Sequence, residues 1–574
     1  MNGFFYRQAA AFWPGLWVAT ALVTAEINPA GAAGATNADV PFPVTITVDA
    51  ASQVGELTPI WRFFGADEPN YAYMKDGRKL LAELGGLGQP QVYFRCHHLL
   101  TSGDGAYALK WGSTSAYKED ANGSPVYDWT INDRIFDTYL EYGIKPYVQI
   151  GFMPEALTTH PETYPHHPPV DQRAPYDAGQ SYPPRDYAKW GELARQWAKH
   201  CVERYGRDEV GKWYWEVWNE PNIGYWHGSP EEYFKLYDYA VAGVRRALPT
   251  ARVGGPETAG GPGGDFLRKF LEHCARGTNY VTGKTGSPLD FISFHAKGSP
   301  VYTNGHVRMS MAAQFKNMDD AFAVIAAFPE YKKRPVIIGE SDPEGCAACT
   351  GPQDGYRNGT MYSSYTAASL PREYELAERK GVNLEGALTW AFEFEDQPPF
   401  AGFRQLASNG IDLPVLNVFR MLGKMSGERV RVTSSEGAAA QTILQSGVRG
   451  RPDVSALASL DKNKLAVLVW HYHDDDLPGP AADITLLLDH LPFKNGSAKL
   501  AQFRIDADHG NAYAAWLQMG SPPSLSREQQ SRLEQAGQLP ETGAVQDIRV
   551  ENGRAALRLD LPRQGVSLFV FTGL

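Results

Sequence analysis

The sequence predicts a (β/α)8 barrel followed by an all-β sandwich. Three observations carry this. Eight short apolar runs alternate with amphipathic helical patterns across residues 60–427. Beyond about Val430 strand-like runs separated by turn residues dominate. No G-x-G-x-x-G follows the first strand, which removes the nucleotide-binding form of an open doubly wound sheet.

Taken in order, residues 1–35 read as a secretory signal. Arg7 supplies the positive start, an apolar stretch runs from about Ala9 to Ala25, and small residues fill Ala30 to Ala35, with cleavage expected after Ala32, Ala33 or Ala35. The stretch is short for a membrane anchor and is followed by Glu26. The expected address is the periplasm or the medium, with no membrane contact after cleavage. Within residues 36–59, Val44–Val48 alternates Thr with apolar residues and is expected to add a strand to the sandwich.

The barrel strands are expected at Trp61–Gly65, Val92–Arg95, Lys145–Ile150, Trp213–Val217, Arg252–Gly255, Asp290–Phe294, Pro335–Gly339 and Leu384–Ala391. In Asp186–Tyr205, Trp190, Leu193, Ala194, Trp197, Cys201 and Val202 recur at helical spacing. Another helix opens at Ser229-Pro230-Glu231-Glu232, with Ser as N-cap, Pro at the first position and Glu232 closing a capping box. The Pro- and His-rich Tyr164–Pro184 reads as one long ordered loop. In the sandwich, residues 428–574, strands are expected at Lys464–Tyr472, Ala482–Leu488, Lys499–Ile505, Ala555–Leu561 and Gly565–Phe571, with a helical insert at Ser524–Ala536.

A chain of 574 residues suits two or three domains. With net charge −11 and no basic stripe, nucleic acid is not an expected partner. The 14 Trp and 29 Tyr suit both stacking on sugar rings and ordinary core packing. The five cysteines leave at least one unpaired within the chain. Cys201 and Cys274 sit on apolar helix faces and read as core. Cys346 and Cys349 form either a redox pair or a local structural disulfide. No second Cys pair or His pair stands at zinc spacing, so neither a metal nor a cofactor is expected.

In such a barrel, chemistry sits at the carboxyl ends of the strands. The fourth strand ends in Trp218-Asn219-Glu220-Pro221-Asn222, and the seventh in Gly339-Glu340. Glycoside cleavage needs one protonated and one ionised carboxyl flanking a bond, roughly 5–5.5 Å apart when configuration is retained. Strands four and seven oppose each other in a closed barrel, so Glu220 and Glu340 can converge. The charge of Glu340 would keep Glu220 protonated until the covalent intermediate forms. Asn219 can donate to a substrate hydroxyl. A non-catalytic sugar-binding barrel would be marked by loss of either glutamate, and both are present.

These stretches resemble glycoside hydrolase family 39, the family of β-xylosidases and α-L-iduronidases. The resemblance is carried by Trp61-Arg62-Phe63-Phe64-Gly65, Gly151-Phe152-Met153-Pro154-Glu155-Ala156-Leu157, the run ending at Asn222, Ile338-Gly339-Glu340, Arg504-Ile505-Asp506 and Val566-Ser567-Leu568-Phe569. It is closest to bacterial β-xylosidases. It implies a retaining enzyme that releases xylose from β-xylosides and xylo-oligosaccharides, with Glu220 as acid/base and Glu340 as nucleophile. It also implies that His97 and His295 bind sugar hydroxyls.

Trp390 reads as a sugar platform or as barrel lining. Glu393 and Glu395 either accept from hydroxyls or pair with arginines. Lys297 resembles the iduronidase branch, where a Lys holds the substrate carboxylate; with Arg404 it would make two cations suited to a uronic acid. Alternatively Lys297 pairs with Glu340 or Glu395. A uronic-acid, arabinose or galactose glycosidase is therefore the second reading. A metal site of His97, His98 and His295 lacks a supporting carboxylate pattern.

Overall fold

The computed structural model describes residues 40–88, 91–165, 178–493, 496–543 and 545–573. The expected signal segment, and 166–177 of the expected loop Tyr164–Pro184, lie outside these. Counting only the strands of the two large sheets, β1 is Phe42–Glu56 and the barrel strands are β2 Phe63–Ala66, β3 Tyr93–Cys96, β4 Lys145–Ile150, β5 Tyr214–Val217, β6 Arg252–Thr258, β7 Phe291–Lys297, β8 Pro335–Asp342 and β9 Asn383–Ala387. Each of β2 to β9 pairs in parallel with its sequence neighbour. The last expected strand ends at Ala387, but the chain beyond it closes the barrel. Thr389 N–H donates to Phe63 O at 3.0 Å, and Gly65 N–H donates to Thr389 O at 3.1 Å.

The local signals act as their chemistry dictates. Asp186 caps the helix Tyr187–Tyr205 by accepting from the amides of Ala188 and Lys189. Ser229 and Glu232 close a capping box on Pro230–Ala247. Trp190 and Trp197 bury one face of the first of these helices.

The second large sheet continues with β10 Glu428–Ser434, β11 Asp453–Asp461, β12 Lys464–Tyr472, β13 Ala482–Asp489, β14 Gly496–Ile505, β15 Gln546–Val550, β16 Ala555–Leu561 and β17 Val566–Gly573. Its order is β15-β14-β17-β12-β11-β10-β1-β13-β16. The N-terminal strand β1 lies inside it, antiparallel to β10 and parallel to β13. Alternate residues of β1, Val44, Ile46 and Val48, join Val467, Ile484, Leu486 and Phe571 in a wholly apolar core. The expected helical insert is Arg527–Gly537, capped by Ser526.

The two domains also meet through side chains. A hairpin after β7 places Arg308 and His306 on Asp475 of the sandwich, at 2.5 and 3.1 Å. Arg372, on the helix Thr360–Lys380, pairs with Asp453 at 2.9 Å.

Candidate active site

Two irregularities of the sheet shape the barrel mouth. The pairing of β6 with β7 shifts register between Pro256 and Thr258, and that of β7 with β8 shifts between Ile338 and Glu340. Such bulges re-aim side chains and are common beside active sites. The two fit each other. A Cβ on Gly339 would strike the carboxylate of Glu257, so glycine is what admits that side chain.

Glu220 follows β5 at φ +44°, a strained value for a residue with a Cβ. Its N–H donates to the Glu257 carbonyl at 3.0 Å. Its Oε1 lies 2.9 Å from His295 Nδ1. The neighbours in the motif hold this turn. The Trp218 indole donates to Tyr225 O at 3.0 Å. Asn222 donates to Ala259 O at 3.1 Å and accepts from Ala259 N at 2.8 Å. Asn219 accepts from Arg95 Nη2 at 3.0 Å, while its own Nδ2 is buried without a protein partner. That leaves one donor beside Glu220 in need of an acceptor.

Glu340 stands in β8 with its side chain 7% exposed. Lys297 Nζ lies 2.6 Å from its Oε2, and Arg95 Nη1 lies 3.5 Å from its Oε1. Burial alone would push this carboxyl up, but the charges of His295 and Lys297 win and hold it well below the usual range. It is therefore ionised. His295 Nδ1 is 2.9 Å from Glu220 Oε1 and 3.7 Å from Glu340 Oε1, so those two oxygens are at most 6.6 Å apart, the sum of the two distances.

Beneath them lies a sealed set of charges. Arg95 Nε donates to Glu216 Oε2 at 2.6 Å and approaches Glu257 Oε1 at 3.9 Å. The Tyr147 hydroxyl donates to Glu216 Oε1 at 2.6 Å, as does Ser293 at 3.0 Å. Burial pushes Glu216 well above the carboxylate range. Glu257 is equally buried, but Arg95, Glu216 and His295 bring it down to about 2.

The remaining expected residues find definite partners. His97 Nδ1 lies 3.2 Å from Gln149 Oε1, and its ring packs 4.3 Å from Trp390. Burial and Arg95 push its pKa well down, so it is neutral. His295 is fully buried, with Nδ1 2.9 Å from Glu220 Oε1 and Nε2 2.9 Å from Glu257 Oε2, the second a close ion-pair contact outside hydrogen-bond geometry. It lies buried between two carboxylates and exposes no nitrogen to a sugar hydroxyl, which corrects the expectation. Trp390 is 3% exposed, packed against Gly65, His97 and Arg95, so it lines the barrel rather than offering an open platform.

Glu395 is also corrected. Its Oε1 accepts from the amides of Asp76 and Gly77 at 2.9 and 2.8 Å, at the start of the helix Lys75–Gly85. That is an anion on a helix N-terminus, and no arginine is involved. Glu393 similarly accepts from Gly410 N at 2.6 Å.

Lys297 pairs with Glu340 and, at 2.5 Å, with Asp342, not with Glu395. Arg404 is fully buried, 3.4 Å from Asp342 and bonded to Glu344 and the Trp390 carbonyl. Arg357 pairs with Glu344 at 2.6 Å. Three cations thus face the three carboxylates of Glu340, Asp342 and Glu344. Arg404 is locked in structure, so it is not a second cation open to a substrate. Cys346 and Cys349 form a disulfide whose loop carbonyls accept from Arg357, and Cys96, Cys201 and Cys274 are buried free thiols.

Arg95, Glu257, Asp342 and Glu344 escape sequence reasoning. Glu257 and Asp342 stand at strand ends, the same signal that marks Glu220 and Glu340. It is missed because the fifth and seventh strands read as ending at Gly255 and Gly339.

A family model described as Glycosyl hydrolases family 39 matches residues 44–551. The chain is 28% identical over 540 residues to a β-xylosidase of Caldicellulosiruptor saccharolyticus, covering 92% of this chain and 98% of that one. It is 26% identical over 536 residues to an α-L-iduronidase of Mus musculus, covering 86% of this chain and 75% of that one. Among solved structures, a monomeric β-xylosidase from Caulobacter crescentus CB15 shares the fold with TM-score 0.71 at 23% identity, over 92% of this chain and 99% of that one.

Proposed function

The chain belongs to glycosyl hydrolases family 39 and is a retaining glycosidase, and from that premise we propose that it releases xylose from β-xylosides and xylo-oligosaccharides. Glu220 is the acid/base and Glu340 the nucleophile. The observation that carries the roles is the upper limit of 6.6 Å between their facing oxygens, set by the 2.9 and 3.7 Å contacts of His295. Retaining pairs stand roughly 5–5.5 Å apart, while inverting pairs must leave room for a water.

Glu340, ionised, attacks the anomeric carbon as Glu220 gives its proton to the departing oxygen. A glycosyl ester forms on Glu340, and its negative charge is gone. Water then attacks the same carbon, Glu220 takes its proton, and Glu340 leaves as a carboxylate. The unpaired Asn219 Nδ2 is the donor for a sugar hydroxyl. His97, beside Glu340 at 3.7 Å, is a second contact for the sugar.

The sugar is argued from charge. Lys297 and Arg404 are balanced by the protein's own carboxylates, which favours a neutral pentose over a uronate. The test is a panel of nitrophenyl glycosides: β-xyloside, α-L-arabinosides, β-galactoside, β-glucoside and an aryl α-L-iduronide. Preference for the xyloside is the expected outcome. Preference for the iduronide would overturn it and make Lys297 a carboxylate ligand. We further propose an exported enzyme, in the periplasm or the medium. The pattern of residues 1–35 and the Cys346–Cys349 disulfide support this, and cell fractionation tests it.

A further inference from the structure

The acid/base has an unexpected neighbour. Glu257 reaches Glu220 by two routes, directly through its backbone and by way of His295 from its side chain. Its backbone carbonyl accepts the Glu220 N–H at 3.0 Å. Its carboxylate lies 2.9 Å from His295 Nε2, and the opposite nitrogen of that ring lies 2.9 Å from Glu220 Oε1. A chain of three groups, Glu257, His295 and Glu220, thus runs from the sealed interior to the reaction centre. The place of Glu257 in it is built by the backbone. Glu257 sits at φ +55°, at a register shift of β6, in a space that only a glycine at 339 leaves open.

We propose that Glu257 is a positioning residue for acid catalysis: it holds His295 doubly protonated, so that Nδ1–H donates to Glu220 Oε1 and the reactive proton of Glu220 is confined to Oε2. This rests on the acid/base reading of Glu220. A neutral His295 with its single proton toward Glu257 would present a lone pair to Oε1. The carboxyl proton of Glu220 would then turn toward the ring and away from the glycosidic oxygen. With imidazolium in place, Oε1 can only accept, and the carboxylate left after proton transfer already has its partner. No proton is gained or lost by His295 in the cycle. The device is the orienting member of a catalytic triad turned to serve a carboxylic acid.

The surrounding charges agree. His295 faces Glu220, Glu257 and Glu340, with neutral His97 beyond. Glu257 faces Arg95, Tyr147, Glu216 and His295. Burial opposes charge on His295, but Glu340 and Glu257 outweigh it and raise it to about 10. A raised imidazole stabilises the fold fully below its ordinary 6.5, and that contribution fades as pH rises toward 10.

The experiment compares wild type, E220Q, E257Q and E257D on two aryl glycosides of the sugar preferred in the panel. One carries a dinitrophenyl leaving group, which departs without acid, and the other an unactivated phenyl group. E257Q is expected to lower kcat/KM, which reports the bond-breaking step, roughly 10- to 100-fold on the phenyl glycoside and less than about threefold on the dinitrophenyl glycoside. The alkaline limb of its kcat/KM profile, and the pH at which its Tm declines, should both move down. E257D keeps the charge and should move the limb less than E257Q. Equal losses on both substrates with an unmoved alkaline limb would overturn the proposal, as would equal limb shifts in E257D and E257Q. If E257Q does not fold, E257D alone still decides, by leaving-group dependence and limb. If E220Q itself shows no leaving-group dependence, the acid/base reading fails instead, and the two failures are distinct.

Discussion

The core of the sandwich and the floor of the barrel mouth are both buried, yet they are built from opposite materials. Val467, Ile484, Leu486 and Phe571 fill the first with hydrocarbon alone. The second buries Arg95, Glu216, Glu257, His295, Glu340, Asp342 and Arg404. Buried hydrocarbon contributes stability in proportion to area. Buried ion pairs roughly break even against desolvation, and only breaking them is strongly unfavourable. Apolar cores of this kind, in the sandwich and around the barrel alike, are where this chain gains stability. The mouth is where it holds charge in place for chemistry, and its groups cannot be removed singly.

Four changes would break or sharpen that contrast. The largest effect is expected from Glu340→Ala, which should lower kcat by about 10^4-fold or more and also lower Tm, because Lys297, Arg95 and His295 lose a shared carboxylate. Azide or formate should restore part of the rate and give product of inverted configuration. Normal activity in this variant would end the nucleophile assignment.

Next comes Arg95→Met, which leaves Glu216, Glu257 and Glu340 without their shared cation. It should destabilise by about 3–5 kcal/mol and reduce kcat as well. A raised Tm would show that Arg95 was never paired well enough to offset its burial.

Leu486→Ala, in the sandwich, should cost about 2–5 kcal/mol in chemical denaturation while kcat/KM of the folded protein stays at the wild-type value. A drop in kcat/KM would mean the two regions are not separate in function. The smallest effect is expected from removing the disulfide with Cys346→Ser and Cys349→Ser. A loop this short contributes about 2 kcal/mol at most in the chain-entropy picture. The carbonyls held by Arg357 should keep the loop in place, so kcat should fall less than about threefold. A larger fall would make the bridge part of the site.

The same contrast explains what the sequence discloses. Hydrophobic periodicity marks the eight barrel strands and the capped helices because burial of one face is a local, repeated demand. Glu220 and Glu340 are legible because each ends an apolar run. The partner of each polar side chain is not legible. Glu395 reads as a candidate for sugar contact, yet it serves the amides of Asp76 and Gly77, more than three hundred residues away in sequence. His295 reads as a ligand for hydroxyls, yet it is buried with a carboxylate 2.9 Å from each nitrogen. Those partners are set by two bulges and by a glycine that removes a methyl group's volume. None of these has a signature in local composition. Arg95 is hidden by its place inside a short apolar strand, where the alternation that would reveal it spans only four residues.

The strand β1 has a consequence in time. It is made before the barrel, yet its hydrogen-bond partners lie far down the chain: Thr45 N–H donates to Ser435 Oγ, 390 residues later. At 5–20 residues per second, synthesis of that span takes roughly 20–80 s. For that interval the alternating apolar face of Val44, Ile46 and Val48 has no sheet to join, and an unpaired strand of this kind invites association with other chains. Assembly of the sandwich therefore waits for strands that lie on both sides of the barrel in sequence. Among the described residues, the large sheet is complete only when β1 and the strands that follow Glu428 have both been delivered to it.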